Sequence, residues 1–282
     1  MRITINGKDA DIRLENEQTV GDVLAGLGQW LANTGHRPSG MVIDGEAVRT
    51  GSLEASFGRN IDSVKTLDIL TSSLMELTAE SLLNVLQDIA DYEAGVFEEK
   101  QRFREQWEES SQARLLGEQI PELFSETAKT FSGEGLSPAG LRSIIEERLR
   151  ELRDPAGELE KMEPLIAGVC ARLEDLPLDI QTGKDARAAE TIQFFSGIAG
   201  KIFRVYRVLQ AGGFAGDPSG GGESSSGVPL AEHVSEFGGV LKELLAAYEQ
   251  RDTVLVGDLA EYELAPRLKD LYAAIKVSAV SA

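Results

Sequence analysis

The side chains best placed to do chemistry in this 282-residue chain are charged residues in its C-terminal half. Lys201, Arg204 and Arg207 recur along one flank of a predicted helix, and Asp258 and Glu261 lie three residues apart in a later one. Carboxylates beside an apolar stripe need a cationic partner if they are buried, because an unpaired buried charge is costly. We predict that the basic flank pairs with acidic helices nearby, or else binds an acidic segment of a partner. For Asp258 and Glu261 the candidate partner within the chain is this flank, and a partner protein is the alternative.

Metal binding and catalysis find little support in the residue pattern. Asp258 and Glu261 have no histidine or third acidic residue at a spacing that would complete a cation site. The two histidines, His36 and His233, lack a serine, cysteine or aspartate in any triad order. The single cysteine, Cys170, excludes an intrachain disulfide and is predicted to be a buried, unreactive thiol. We predict no catalytic, cofactor-binding or metal-binding residues, and a protein that is not an enzyme.

Two aromatic residues stand four apart in the strongly charged stretch EEKQRFREQWEESSQ. Phe103 and Trp107 would share one helical face, which favours a role as anchors in the core. If they were exposed, an aromatic pair on a polar helix would instead be a docking site for a partner protein. Both interpretations are open at this point.

The elements that precede these helices form a distinct N-terminal pattern. Ile3 and Ile5 alternate with polar residues, which indicates a half-buried strand, and Asn6-Gly7 is a strong hairpin signal. Thr19 is a plausible N-cap for an amphipathic helix that Gly35 would end. A third strand near 41–43, a turn at 44–45 and a closing strand near 64–69 complete the prediction.

The run MRITINGKDADIRLENEQTVGDVLAGLG resembles the start of a ubiquitin-like β-grasp protein, and in particular the small sulfur carriers of the thiamine pathway. The resemblance covers about a quarter of the chain. It implies a β-grasp fold for this region. Carrier chemistry in that family requires a free C-terminal Gly-Gly whose carboxylate is adenylated. Here Gly212-Gly213 is internal, so the resemblance extends to the fold and not to the reaction.

The fold class expected from these patterns is α+β, with a small N-terminal β-grasp domain followed by a mostly α-helical bundle. The segment rich in glycine and serine has too few apolar side chains to offset the entropy of ordering, so it is predicted to be a flexible linker. A last helical hairpin would turn Leu255 and Tyr262 inward and pack on the helical domain. The predicted domains are 1–72, 77–210, the linker 211–228 and the hairpin 229–282. Within the second domain the period predicts one helix from Thr78 through the charged stretch, and a later helix that ends before Pro177.

Charge and hydropathy narrow the classes of partner. The formal charge is −19, and a field of that sign repels nucleic acid and anionic membranes. The N-terminus has no hydrophobic signal core, and no apolar run approaches the ~18 residues of a membrane span. These features predict a cytoplasmic protein that binds another protein, with no nucleic acid, no membrane insertion and no cofactor. A homodimer is compatible with them.

Three functional hypotheses follow. The first is a non-enzymatic adaptor or scaffold, in which the β-grasp module presents a sheet face or edge to a partner protein. The second is a chaperone-like holder of an exported or assembling bacterial protein, of motility or envelope machinery, which would bind its client in a helical groove and expose Phe103 and Trp107. The third is a diverged sulfur carrier, which would require proteolysis after a Gly-Gly pair.

Overall fold

The protein is an α+β chain in which a small mixed sheet precedes a series of helices. The computed structural model describes residues 1–10, 12, 14, 16–33, 35–48, 56–211 and 229–280. Two compact units divide the chain, an N-terminal unit, Met1–Ile145, and a C-terminal unit, Glu146–Ala282. The predicted helical domain of 77–210 therefore falls in both units. The predicted linker lies outside the described residues, apart from Ala211 at the end of a helix.

The sheet has five strands, in the order β2-β1-β5-β3-β4. Their bounds are Arg2–Ile5 (β1), Lys8–Asp9 (β2), His36–Ile43 (β3), Glu46–Val48 (β4) and Thr66–Ser73 (β5). β1 runs parallel to β5, and the other pairs are antiparallel. Both hairpin turns are the predicted ones, because Asn6-Gly7 and Asp44-Gly45 each place two successive residues at positive φ.

One face of the sheet is covered by α1 (Val20–Asn33), whose apolar stripe meets the inward side chains of the strands. Thr19 caps this helix, since its hydroxyl accepts a hydrogen bond from Asp22 N at 3.2 Å. The Asp22 carboxylate in turn accepts from the amides of Gln18 and Thr19, and these bonds lower its pKa. The shared core comprises Ile3, Val20, Val23, Leu27, Leu31, Met41, Ile43, Val64, Leu67 and Ile69.

Strand β5 continues without a linker into α2 (Leu74–Ala94). Ser73, the last strand residue, is the N-cap of the helix, and its hydroxyl accepts from Glu76 N at 3.1 Å. The Glu76 carboxylate accepts from Ser73 N at 2.7 Å and so completes a capping box. These two bonds satisfy backbone donors at the junction and join the sheet to the helices of the same unit.

The predicted continuous helix is divided into α2 and shorter helices, and a separate short helix follows them. Gly95 ends α2, and the next helices are α3 (Phe97–Glu108), α4 (Ser111–Gln119) and α5 (Pro121–Phe131). Ser110 caps α4 and Pro121 opens α5, which accounts for both breaks. The division between the two units falls inside α6 (Pro138–Arg153).

The C-terminal unit is a bundle of long helices around one core. Its helices are α7 (Pro155–Gln181), α8 (Asp185–Ala211), α9 (Leu230–Glu249), α10 (Thr253–Asp258) and α11 (Ala265–Val280), with a π-helical turn, Leu259–Leu264, between the last two. α7 was predicted to break at Pro177 but continues to Gln181. Cys170 is buried in the core as predicted, and burial raises the pKa of its thiol.

Candidate functional site

The basic flank of α8 lies in a buried charge network within the C-terminal unit. Lys201 Nζ is 2.7 Å from a carboxylate oxygen of Glu158 and 3.0 Å from one of Glu147. Glu158 is only 3% exposed. Lys161 Nζ, one turn further along α7, lies 2.8 Å from the same carboxylate, while the ion pair with Lys201 joins α7 to α8.

A second carboxylate of the network is held by two arginines. Arg204 donates two hydrogen bonds of 2.9 Å to Glu151, which is 2% exposed. Arg148 donates to the same two oxygens at 3.1 and 3.2 Å. Burial and the nearby charge of Arg204 lower the pKa of Arg148, although Arg still carries its charge at any ordinary pH. The two parallel hydrogen bonds from Arg204 to Glu151 link α8 to α6.

The network shifts the pKa values of its members in the directions that favour ion pairs. Burial alone would raise the pKa of Glu158, but hydrogen bonds from Lys161 and Lys201 outweigh it, and the pKa is lowered. Burial would likewise lower the pKa of Lys201, and hydrogen bonds to Glu158 and Glu147 raise it instead. Both groups are therefore held in their charged forms by their neighbours.

The flank pairs with acidic helices as predicted, but not with the two carboxylates that were its candidate partners. Lys201 and Arg204 pair with Glu147, Glu151 and Glu158, not with Asp258 and Glu261. The network uses carboxylates of α6 and α7, the helices that precede α8 in the chain. Arg207, the third residue of the flank, is exposed and makes no ion pair within the described part of the chain.

The two aromatic residues singled out from the sequence lie in an aromatic cluster of the N-terminal unit. Trp107 is 3% exposed and stacks on Phe124 with ring centroids 5.5 Å apart. Phe103 contacts Phe131 edge to face at 5.3 Å. Tyr92 completes the cluster at 5.0 Å from Phe131. The core interpretation of Phe103 and Trp107 therefore describes the structure, and the docking interpretation does not.

An exposed apolar face appears instead on α10 and the π-helical turn. Val254 is 69% exposed, Tyr262 65% and Leu255 43%. Asp258 lies between Val254 and Tyr262 at four-residue spacing, so the three side chains share one helical face. Leu255 and Glu261 flank that face on either side. We call these five residues the hairpin surface.

The hairpin surface is held by a small core at one end of the C-terminal unit. Asp252 caps α10 by accepting a hydrogen bond from Leu255 N at 3.0 Å. Buried Val256 packs with other apolar residues of α7 and α9. At Gly257 a β-carbon would lie 3.1 Å from Cβ of Pro177, so α10 approaches α7 as closely as a glycine permits. Leu178, next to Pro177, is itself 56% exposed.

The two carboxylates of this surface have no cationic partner among the described residues. Asp258 and Glu261 make no ion pair with any described residue, whereas Glu263 pairs with Arg267 at 2.9 Å. Their negative charge acts on Tyr262, whose pKa is raised by hydrogen bonding to Glu261 and by the charges of Glu261 and Asp258. The surface is thus apolar, acidic and open to solvent.

Sequence reasoning missed this surface because it placed Leu255 and Tyr262 in the inner stripe of the hairpin. A step of four residues returns to nearly the same face in an α-helical or a π-helical turn, but the wider turn shifts the face over a longer span. A strict 3.6-residue period carried from Leu255 through this turn into α11 therefore assigns the inner stripe wrongly. The feature of the sequence that could have revealed the hairpin surface is the position of Asp258 and Glu261 beside apolar residues. The internal partner that this position led us to expect is not found among the described residues.

Three further kinds of candidate site are a recess on the sheet, a cluster of metal-ligating side chains, and a helix that could cross a membrane. The face of the sheet opposite α1 has a recess lined by Arg2, Thr4, Gly7, Val42, Gly45, Thr66 and Asp68. In the described ranges, no three metal-ligating side chains come together. Nor does any described helix combine the length and the apolar character needed to cross a bilayer.

Comparison with known proteins gives two partial family matches. A family described as the TP0873 N-terminal domain matches residues 1–73, and a domain of unknown function, DUF8042, matches residues 158–274. An uncharacterized protein of Treponema pallidum (strain Nichols) is 20% identical over 271 residues, which cover 96% of this chain and 94% of the relative. No solved structure matches the chain. The similarity reaches both units, and the hairpin surface lies inside the second matched segment.

Proposed function

We propose that this protein is a non-enzymatic adaptor that binds another protein through the hairpin surface. The observation that carries the proposal is the exposure of Val254 and Tyr262 beside two carboxylates that have no cation among the described residues. A single exposed valine or tyrosine would be ordinary, but several apolar side chains on one face mark interaction sites. Aromatic residues that combine an apolar ring with a polar tip are enriched at such sites.

The N-terminal module is the second part of the proposed adaptor. Support for a β-grasp assignment comes from the sheet order β2-β1-β5-β3-β4, the parallel pairing of β1 with β5, and the single helix packed across one face. In this proposal the module is a second recognition element, which would bind through the face of the sheet opposite α1. A fold alone does not define an activity, so the module is assigned no reaction.

The two other hypotheses have less support. A chaperone-like holder was expected to expose Phe103 and Trp107, and both belong to the aromatic cluster. A sulfur carrier needs a free tail after its last strand, whereas β5 leads directly into the capping box of α2. Gly212-Gly213 lies outside the described residues. The adaptor hypothesis is therefore the one that the geometry favours.

The proposal is tested by comparing matched variants of the full-length protein. We would purify the tagged wild type, Val254→Ser/Tyr262→Ser and Val96→Ser/Trp30→Ser from the protein's own cells and identify co-purifying proteins by mass spectrometry. The second variant changes one valine and one aromatic residue that are exposed to a similar extent in the other unit, 63% and 54%. A specific partner lost only with the first variant supports the proposal. A set of partners that is identical for all three proteins refutes it.

A further inference from the structure

We propose that the partner segment bound by the hairpin surface is an amphipathic helix whose apolar stripe is flanked by lysine or arginine. This inference rests on the proposed function and deepens it by naming the chemistry of the partner. It is carried by the spacing of the apolar side chains and by the charge of the residues between them.

The spacing on the hairpin surface suits a helix. Val254 and Tyr262 are two turns apart along one face, with Leu255 beside them. Leu178 on the adjoining end of α7 adds a further exposed apolar side chain. Apolar groups arranged along a shallow strip of this length match the i, i+3, i+4 and i+7 anchors of an amphipathic helix.

The charges determine which amphipathic helix fits. Asp258 stands between the two apolar anchors and Glu261 stands at their edge, and neither has a cation within ion-pair distance in the described ranges. Two carboxylates of α7 are paired with lysines of α11: Glu174 with Lys269 at 2.9 Å and Glu163 with Lys276 at 2.6 Å. A partner that places a lysine or arginine on each side of its apolar stripe would complete the same pattern.

A second copy of this chain fits the surface less well. A symmetric dimer brings the same patch of both subunits together. Here that would place Asp258 and Glu261 of one copy beside the same carboxylates of the other, and like charges brought together oppose association. The formal charge of −19 on each chain adds to this repulsion. A basic partner has the opposite effect, because the field of the whole protein attracts it.

The test uses two synthetic helical peptides with the same leucine stripe, one flanked by lysine and one by glutamate. Binding to the full-length protein is measured by calorimetry. We expect the lysine peptide to bind at least about tenfold more tightly, a difference of about 1.4 kcal/mol. Raising the salt concentration should narrow the difference, because exposed charges are screened.

Matched variants separate this surface from the general acidity of the chain. Asp258→Lys/Glu261→Lys and Glu190→Lys/Asp270→Lys each replace one aspartate and one glutamate, and the control residues are exposed and make no ion pair with any residue the structure describes. We expect the first variant to reverse the preference between the peptides. The second should leave the lysine peptide preferred. If the two variants had the same effect, or if the wild type did not distinguish the peptides, the inference would be overturned.

The outcomes also separate this inference from the proposed function. A native partner that is lost with Val254→Ser/Tyr262→Ser but binds Asp258→Lys/Glu261→Lys normally would overturn the basic helix and leave the adaptor intact. A dimer in sedimentation experiments that dissociates on either substitution would identify a second copy as the occupant and overturn the inference. A native partner that binds both variants as tightly as the wild type would refute the proposed function itself.

Discussion

The charge network of α6, α7 and α8 and the hairpin surface use the same kinds of side chain for different purposes. Glu151 and Glu158 are almost fully buried, and each has at least two cationic partners. Asp258 is exposed, and it and Glu261 have no cationic partner among the described residues. The difference lies in burial: a carboxylate withdrawn from water must be paired, while one left in water is free to bind a partner later.

The comparison predicts its largest effect at Arg204. Replacing it by methionine, Arg204→Met, leaves the buried Glu151 with Arg148 alone, and we expect the free energy of unfolding to fall by about 3 kcal/mol. Urea unfolding followed by circular dichroism, with hydrogen exchange of α8 peptides, measures the loss. Arg207→Met is the control on the same helix and should change stability by less than about 0.5 kcal/mol. Equal losses for both variants would contradict a special role for Arg204.

A second effect appears on acidification. The pKa of Glu158 is lowered from its ordinary value of 4.5, so its ion pairs stabilise the folded state above that value and lose their contribution as the pH falls through the lowered pKa. We expect Glu158→Gln to be less stable than the wild type at neutral pH by about 2 kcal/mol. The difference should shrink steadily below about pH 4.5. Thermal unfolding over a pH series measures it, and a difference independent of pH would be inconsistent with the ion pairs.

A third, smaller loss of stability tests whether the close contact between Gly257 and Pro177 positions the hairpin surface. Gly257→Val would push side-chain atoms into Pro177, and we expect a loss of about 1 to 2 kcal/mol with weaker binding of the lysine peptide. Gly168→Ala is the matched control, because this glycine is exposed on α7 and a β-carbon added there would have no neighbour within 4 Å. That substitution should stabilise the helix by about 0.5 to 1 kcal/mol. A neutral Gly257→Val would mean that α10 is not held against α7.

The smallest effect on stability is expected from substitutions on the hairpin surface itself. Asp258→Asn/Glu261→Gln should change the free energy of unfolding by less than about 0.5 kcal/mol, since both groups lie outside the core. The same substitutions weaken the hydrogen bond from Tyr262 to Glu261 and remove the charges of Glu261 and Asp258, which together raise the pKa of Tyr262, so this pKa should fall towards its ordinary value of 10.0. Ultraviolet titration of tyrosinate, compared with the wild type, measures the shift. A large loss of stability would instead place these carboxylates in a structural role.

Local signals were sufficient for the two hairpin turns of the sheet, but not for strand β4 or for the early start of β3 at His36. The turns at Asn6-Gly7 and Asp44-Gly45 are specified by residues that tolerate positive φ, and Thr19 caps α1 as its sequence suggests. The α+β class follows from the same patterns. Among the helices, boundaries were less predictable: Pro177 was expected to end α7, but near the last turn of a helix the loss of one backbone donor is tolerated and its ring packs on Gly257.

The site was harder to predict because it depends on which helices become neighbours. A flank such as Lys201 and Arg204 needs acidic partners, and the sequence offers many of them at similar spacing. The structure selects Glu147, Glu151 and Glu158 because α6 and α7 pack beside α8. Periodicity also fails locally where a π-helical turn interrupts the regular helix. The partners of the basic flank and the exposed face at the π-helical turn both depend on tertiary packing, which one sequence does not reveal.

The direct passage from β5 into α2 has a mechanical consequence. β1 begins at the N-terminus and runs parallel to β5, which carries the chain onward through Ser73 into the helix. Tension between the N-terminus and α2 would pull these two strands in opposite directions along their length. Their hydrogen bonds would then be loaded together, in shear, and not opened one at a time. A tether fixed to this module would hold against force until the whole strand pair yields at once.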